Sequence, residues 1–188
     1  LHNPITSTMI ASGDIPDMDE VYYFKTKERK ELPTKPLADF HSFIKKKLIT
    51  KHCKKTKSLL DLCGGKGGDL NHWLDCKLDH IVSLDINRDN LENSNNGACN
   101  RVLNAMANTT DNNRLLKNIL FLWADASKEL TYGDAAKDDL NQFYMDVIYG
   151  KIDKSLVENS KLIRFYGIGA NKFDNISCQF SIHYFFEN

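Results

Sequence analysis

The pattern of hydrophobic and polar positions is dominated by four short apolar runs, each bounded by polar or glycine-rich segments. Apolar runs of this length, rich in Leu, Ile and Val, predict buried β-strands. The first run leads directly into a cluster of glycines, as a strand that ends at a tight turn does. The four predicted strands are 58–62, 80–84, 118–123 and 173–180.

Between the apolar runs, the chain predicts helices. Apolar residues from 37 to 52 recur at three- and four-residue intervals, and Pro36 stands where a helix can begin. Strands that alternate with helices predict an α/β fold, mainly a parallel sheet with helices on both faces. The connection 131–172 is much longer than usual, so we interpret it as an insertion. The other predicted helices are 68–74, 88–107 and 135–149.

The composition excludes membrane, collagen-like and wholly disordered proteins. The chain has 188 residues, of which 41% are hydrophobic and 27% charged. Its apolar stretches are far shorter than the roughly 20 residues of a membrane span. The sequence has no secretory signal and does not begin with Met, so we expect a fragment of a longer protein. We predict an N-terminal arm at 1–36 and one partial domain at 37–188.

The charges balance overall but not locally. Lys and Arg total 25, as do Asp and Glu, so no global field attracts nucleic acid or a membrane. The stretch 40–57 nevertheless contains seven lysines and no acidic residue. Two interpretations stay open, a solvated helix face and a surface that contacts phosphates.

The cysteines predict free thiols. There are five of them, widely spaced and without a C-x-x-C pair, so neither a disulfide framework nor a metal site is indicated. We expect no metal and an intracellular, reducing compartment. The five are Cys53, Cys63, Cys76, Cys99 and Cys178.

The segment Asp61–Asp69, here called the glycine loop, is the strongest local signal. Its four glycines allow positive φ angles and a close approach of the backbone to a ligand. A Walker A loop needs Ser or Thr after its Gly-Lys, and Gly67 follows Lys66 here. A dinucleotide fingerprint needs a small residue where Leu70 stands. Neither phosphate loop therefore matches.

Two further acidic residues close the second and third predicted strands. Asp85 is placed to accept hydrogen bonds from a ribose diol, and Asp125 to accept one from an exocyclic amine. The alternative is that both are helix N-caps. The glycine loop, Asp85 and Asp125 each follow one of the first three predicted strands. Together they favour an adenosine-type ligand. Because no pyrophosphate anchor is present, S-adenosylmethionine fits better than NAD.

Four blocks stand in the order Phe40–Lys45, Asp61–Leu70, Ala124–Leu130 and Ser177–Tyr184. Together they resemble the mRNA cap guanine-N7 methyltransferase family. The resemblance implies a Rossmann-like class I SAM-dependent methyltransferase fold. That sheet has more strands than the four predicted here, so we expect a C-terminally truncated domain. Residues 2–5 and 21–23 look like the linker that enters this domain in capping enzymes of large DNA viruses.

The resemblance implies a role for several residues toward S-adenosylmethionine. Lys45 matches the lysine at the methionine end, Asp85 the ribose-binding acid and Asp125 the residue beside the adenine. The family usually has Gly-Cys where this chain has Cys63 followed by glycine, so a backbone contact is expected with altered geometry. The other implied cofactor positions are Gly65, Gln179 and Tyr184.

The same resemblance implies a site for the RNA cap. Lys66 is expected near the triphosphate and guanosine, while His72 stands where the family often has Lys, which makes phosphate attraction weaker and pH-dependent. His183 matches a guanine-facing histidine; the alternative is an ordinary half-buried histidine. The remaining implied cap positions are His41, where the family often has Asn, and Arg101.

The implied chemistry is methyl transfer to N7 of the cap guanine without a general base. N7 has an exposed lone pair, so positioning by His183 and Tyr184 is expected to suffice and no residue is assigned as catalytic. Two rivals stay open, a methyltransferase for another RNA site or a small molecule, and a non-catalytic module that binds cofactor or a partner.

The resemblance also implies partners. We expect 5′-capped RNA (GpppN) as substrate, with fused triphosphatase and guanylyltransferase domains and a stimulatory subunit as further candidates. No membrane partner is expected. A viral member of the family would act in the host cytoplasm or in the virion.

Overall fold

The computed structural model describes residues 33–108 and 114–186. The chain divides into two units, residues 1–42 and 43–188, which are described separately. Apart from residues 33–36, the predicted arm and its linker-like segments lie outside the described residues. The predicted arm boundary stays a prediction.

The sheet has four parallel strands in the order β3-β2-β1-β4. The first three predicted strands are confirmed to within a residue or two at their ends. The prediction for the fourth was too long, because the strand covers three residues only. The bounds are β1 Ser58–Asp61, β2 His80–Asp85, β3 Ile119–Trp123 and β4 Asn175–Ser177.

Each end of β4 has an identifiable cause. The Asp174 carboxylate accepts hydrogen bonds from the backbone N–H groups of Lys57 and Ser58 at 2.8 and 2.9 Å. A side chain, rather than the backbone of a longer β4, therefore bonds to the N–H groups at the start of β1. Beyond the strand, Phe180 has a φ of +59°, a left-handed conformation that an extended strand cannot include.

Five α-helices surround the sheet in the described part of the chain. The prediction of one helix over 88–107 was wrong, since the chain turns at 93–97 and starts a new helix after Gly97. A Cβ at Gly97 would lie 2.6 Å from the Asn93 nitrogen, so this tight turn requires glycine. The helices are α1 Lys35–Cys53, α2 Leu70–Leu74, α3 Arg88–Glu92, α4 Ala98–Ala107 and α5 Asp139–Ile148.

Short 3-10 helices complete the described elements. One leads into β3, two follow α5, and one lies near the end of the described chain. They are Arg114–Asn118, Lys154–Leu156, Leu162–Phe165 and Ile182–Phe185.

The sheet separates two apolar layers, as expected for a parallel sheet with helices on both faces. On one face, Leu59 and Ile81 pack with Ile49 of α1, Trp73 of α2 and Val102 of α4. The alternate strand residues point to the other face, which α5 covers. That layer contains Leu60, Val82, Leu84, Leu122, Met145, Ile148 and Phe165.

The connection from β3 to β4 therefore supplies core residues. Helix α5 begins at its N-cap Asp138 and is tied to β3, because the Trp123 N–H donates to Asn141 Oδ1 at 2.9 Å. Whether 131–172 is an insertion stays a prediction. No helix in the described ranges is long and apolar enough to cross a membrane.

The strand order confirms a Rossmann-like fold. From β1, the chain first builds the sheet toward β2 and β3, and later places β4 on the opposite side of β1. In such open parallel sheets, ligands bind beyond the carboxyl ends of the strands, at the position where the strand order reverses. That position is the end of β1, where the glycine loop begins.

Candidate functional site

The glycine loop is packed tightly onto the end of β2. The Gly64 N–H donates to the Leu84 carbonyl at 2.9 Å, and a Cβ at position 64 would lie 1.9 Å from Ser83 Oγ. A side chain at position 64 would have to displace the Ser83 hydroxyl, so the loop is closely packed there. Gly65 has a φ of +54°, and a Cβ there would meet nothing within 4 Å. The loop therefore borders open space at Gly65.

Asp85 joins the end of β2 to the glycine loop. One carboxylate oxygen accepts from the Gly65 N–H at 2.8 Å, and the other accepts from the Asn87 N–H and from Asn90 Nδ2. Burial raises the pKa of Asp85 despite these three hydrogen bonds. The N-cap of α3 is Asn87, so Asp85 is not a helix cap.

Asp125 lies just beyond the end of β3 and is half-buried. Its carboxylate accepts from both the N–H and the hydroxyl of Ser127, and Lys137 Nζ lies 3.5 Å from its second oxygen. Although burial raises the pKa of Asp125, these contacts outweigh it and lower the pKa below its usual value. The contacts form a turn, and no described helix begins there.

Lys45 belongs to a charged cluster at the end of the glycine loop. Its ammonium lies 3.0 Å from Asp69 Oδ2, and His72 Nε2 lies 4.0 Å from the other oxygen of the same carboxylate. All three side chains are at least three-quarters buried. Lys45 Nζ also lies 6.0 Å from the ring centroid of Phe180.

Asp61 is the most deeply buried acid of this cluster. Its Oδ2 accepts from Ser83 Oγ at 3.1 Å, and the residue is only 2% exposed. Burial, together with the negative charge of Asp69, raises the pKa of the Asp61 carboxyl to about 7, although Ser83 and Lys45 oppose the shift. The cluster therefore holds two acids and a lysine close together.

Residues 178–186 follow β4 and are here called the β4 segment. The segment begins beside the glycine loop, on the side of β1 away from β2. The Leu62 N–H donates to the Ser177 carbonyl at 2.9 Å, which fixes the start of the segment beside the loop. Gln179 is half-buried, while His183 and Tyr184 are exposed with ring centroids 3.9 Å apart. This region thus adds exposed ring systems to the same edge of the sheet.

The remaining predicted cap residues lie in different places. Lys66 Nζ contacts Asn96 Oδ1 at 2.7 Å and Asp89 at 3.3 Å, and so points toward the α3–α4 turn. Arg101 is exposed on α4, with its aliphatic stem near Gly67. His41 lies on α1 within the first unit.

The structure thus brings Lys45, Cys63, Gly65 and Asp85 together around the glycine loop, with Gln179 on the adjacent β4 segment. His72 joins them through Asp69. Lys66 and Arg101 flank the loop on its α4 side. Within the described ranges, no three His, Cys, Asp or Glu side chains converge as metal ligands.

A comparison with protein families decides the classification. The model of the mRNA (guanine-N(7))-methyltransferase domain matches residues 18–188. The chain belongs to the mRNA (guanine-N7)-methyltransferase family. The match includes the helix α1, the glycine loop, all four strands and the β4 segment.

Two relatives of this methyltransferase family illustrate the similarity. The chain is 32% identical over 146 residues to a probable mRNA-capping enzyme of Acanthamoeba polyphaga mimivirus, covering 78% of this chain and 11% of the relative. It is 28% identical over 157 residues to mRNA cap guanine-N(7) methyltransferase 1 of Arabidopsis thaliana, covering 84% of this chain and 33% of the relative. The chain thus spans a third or less of each relative.

Sequence reasoning missed three residues of this methyltransferase domain. Asp69 forms an ion pair with Lys45, and Asp61 is close enough for the charge of Lys45 to oppose the rise of its pKa. These acids stand 24 and 16 residues from Lys45 in the sequence, so no local pattern indicates the contacts. A charged residue inside the apolar run of β1 was the available signal for Asp61. Ile86 is the third: it follows Asp85 directly and is 58% exposed beside the glycine loop's partner strand.

Proposed function

We propose that this chain binds S-adenosylmethionine at the carboxyl ends of β1, β2 and β3 and methylates N7 of the guanosine cap of RNA. The observation that carries the proposal is the glycine loop held on Asp85 beside the Lys45 cluster. Membership of a methyltransferase family requires a methyl donor, and the donor's identity is part of the proposal.

The residues around the loop fit the parts of this cofactor. Three of the roughly four acceptor sites of the Asp85 carboxylate are occupied, and the oxygen that accepts from the Gly65 N–H keeps one for a ribose hydroxyl. Ile86 offers an apolar surface, and Asp125 an acceptor, on the adenine side. Lys45 is the cation available for the methionine carboxylate, and the open space at Gly65 leaves room for a ligand over the backbone.

Bound S-adenosylmethionine supplies a methyl group already activated on a sulfonium. The chain's own contribution is then to hold guanine N7 in line with it, which is a matter of positioning and electrostatics. His183 and Tyr184 present two exposed rings, tilted by 45° to each other, against which a planar base is able to pack. Lys66, Arg101 and His72 supply donors around the loop for the cap phosphates.

Methyl transfer from labelled S-adenosylmethionine to GpppG-capped RNA tests the proposal, with nucleoside digestion to locate the methyl group. We expect label on guanine N7 with the chain as it stands, and at least a hundredfold loss in Asp85→Asn. Glu158→Gln removes an exposed carboxylate away from the loop and is expected to change nothing.

Three other outcomes contradict the proposal. Label on another atom of the RNA would indicate a different methyl acceptor. Cofactor binding without transfer would indicate a binding module. Equal losses in Asp85→Asn and Glu158→Gln would show that the Asp85 carboxylate has no special part in the reaction.

A further inference from the structure

Cys63 and Cys178 stand across the junction of the glycine loop and the β4 segment. Asp61 of β1 pairs in register with Ser177 of β4, and the Leu62 N–H donates to the Ser177 carbonyl at 2.9 Å. Each cysteine directly follows one partner of this hydrogen bond. Both are free, half-buried thiols.

The two thiols interact with each other. Burial raises the pKa of Cys178, and a hydrogen bond from Cys63 opposes part of that rise. Cys63 also interacts with the Ser181 hydroxyl, so its side chain is directed at the β4 segment. The Ser181 hydroxyl itself donates to the Gln179 carbonyl at 3.1 Å.

The other thiols of the chain are placed differently. Cys53 and Cys76 also lie near each other, but both are almost fully buried in the apolar layer under α1 and α2. Cys99 lies on α4. A half-buried pair beside open space is accessible to a reagent that the core pair does not meet.

We propose that Cys63 and Cys178 form a reversible disulfide with a disulfide oxidant such as oxidised glutathione, and that this bond blocks cofactor binding. The bond would tie the glycine loop to the β4 segment, which carries Gln179 and Tyr184. The second half of the proposal rests on the proposed function, because it takes these two regions as walls of the cofactor site.

The reaction balances as two thiol–disulfide exchanges. The Cys178 thiolate attacks one sulfur of oxidised glutathione and releases one glutathione thiolate, which leaves a mixed disulfide. The Cys63 thiolate then attacks the Cys178 sulfur, releases the second glutathione and closes the bond. Each cysteine loses one proton, and the oxidant gains two electrons and two protons.

The surroundings make this exchange slow at neutral pH. Burial raises the pKa of Cys63 to about 12, and the neighbouring charges of Asp85 and Asp61 contribute to that shift. Because the thiolate is the attacking species, we expect the rate to rise between pH 7 and pH 9. If the bond and the cofactor exclude each other, a bound cofactor protects the two thiols from oxidation.

Incubation of the native chain with oxidised glutathione, followed by non-reducing digestion and mass spectrometry, tests the bond itself. We expect a Cys63–Cys178 linked peptide as the main product, its loss after dithiothreitol, and slower formation with saturating S-adenosylhomocysteine. Cys99→Ser is expected to give the same linked peptide, and Cys178→Ser none.

Equilibrium binding of S-adenosylhomocysteine tests the consequence. We expect at least a tenfold weaker affinity after oxidation, recovery on reduction, and no effect of the oxidant on Cys178→Ser. Absence of the 63–178 peptide, or a predominant 53–76 peptide, would overturn the proposal. So would an oxidised chain that binds as tightly as the reduced one. If the reduced chain binds no S-adenosylhomocysteine, the proposed function fails, while the peptide map still decides whether the bond forms.

Discussion

The glycine loop and the β4 segment lie at the same edge of the sheet but are held in different ways. The loop is fixed by backbone hydrogen bonds, by the Asp85 carboxylate and by the packing of Gly64 against Ser83. The β4 segment follows a strand of three residues and exposes His183, Tyr184 and Phe186. The loop proposed to bind the cofactor is therefore held in place before a ligand arrives, whereas the residues proposed to contact guanine are exposed side chains.

This difference predicts where substitutions act. Changes in the loop and its buried acids should alter the free energy of unfolding together with cofactor binding. Changes at exposed positions of the β4 segment should alter methyl transfer to RNA and leave unfolding almost unchanged. Four substitutions, from the largest expected effect to the smallest, test this division.

Gly64→Ala is the most disruptive change we expect. The added Cβ would lie 1.9 Å from Ser83 Oγ and 3.0 Å from Asp61 Oδ2, so the buried Ser83 hydroxyl must move and its hydrogen bond to Asp61 is disrupted. We expect a loss of about 3 kcal/mol in the free energy of unfolding, measured by urea denaturation. Gly68→Ala is the matched control, because a Cβ there meets nothing within 4 Å, and it should cost less than about 1 kcal/mol. Equal losses would contradict the described packing.

Asp61→Asn is expected to stabilise the chain at high pH. The folded-state pKa of Asp61, about 7, lies above its ordinary value of 3.8. The folded chain therefore binds more protons than the unfolded chain between these values, and stability falls as the pH rises from about 4 to about 7. An uncharged Asn at position 61 does not lose stability in this way. It also removes the repulsion between the carboxylates of residues 61 and 69.

Thermal or urea unfolding of both proteins at pH 5 and pH 8 measures this effect. We expect Asp61→Asn to gain about 2 kcal/mol on the wild-type chain between the two pH values. Asp75→Asn changes an exposed carboxylate and should show no such pH-dependent gain. A gain that is independent of pH would contradict a titrating Asp61.

Lys45→Met tests the role of the buried ion pair in cofactor binding, with the same change at the neighbouring Lys46 as the control. Lys45 and Lys46 lie 3.0 and 3.2 Å from Asp69 and Asp75, but only the first pair is largely buried. Removing Lys45 leaves two acids without their cation, so we expect affinity for S-adenosylhomocysteine to fall about tenfold by calorimetry. Lys46→Met should bind like the wild-type chain, and similar losses in both would refute the assignment.

His183→Ala should have the smallest effect on stability. The side chain is exposed, so the free energy of unfolding should change by less than about 0.5 kcal/mol. The KM for capped RNA should rise several-fold while affinity for S-adenosylhomocysteine is unchanged. His52→Ala removes another exposed histidine and should leave both quantities unaltered. A large loss of stability in His183→Ala would show that this histidine has a structural role.

The sequence predicted those parts of the fold that depend on local pattern. The apolar runs of β1, β2 and β3 stand between polar boundaries and were located closely. The break between α3 and α4 was missed because the turn depends on how closely Gly97 approaches Asn93. The length of β4 was overestimated because Asp174 bonds to the start of β1, a contact between residues 116 positions apart.

The candidate site was predictable to a similar degree. Asp85 and Asp125 were found because they end apolar runs, and the structure places both at the ends of neighbouring strands. The partnership of Lys45 with Asp69, and the burial of Asp61, arise only when α1 packs beside the loop. The cap-binding residues were assigned from the family resemblance, and the roles of Lys66, Arg101 and His41 in cap binding stay predictions.

The most direct test of the central claim is a crystal structure of the chain with S-adenosylhomocysteine. The account predicts ribose hydroxyls within hydrogen-bonding distance of the Asp85 carboxylate, the adenine beside Ile86 and Asp125, and the amino-acid carboxylate next to Lys45. A ligand bound elsewhere on the chain, or no ligand at saturating concentration, would contradict it.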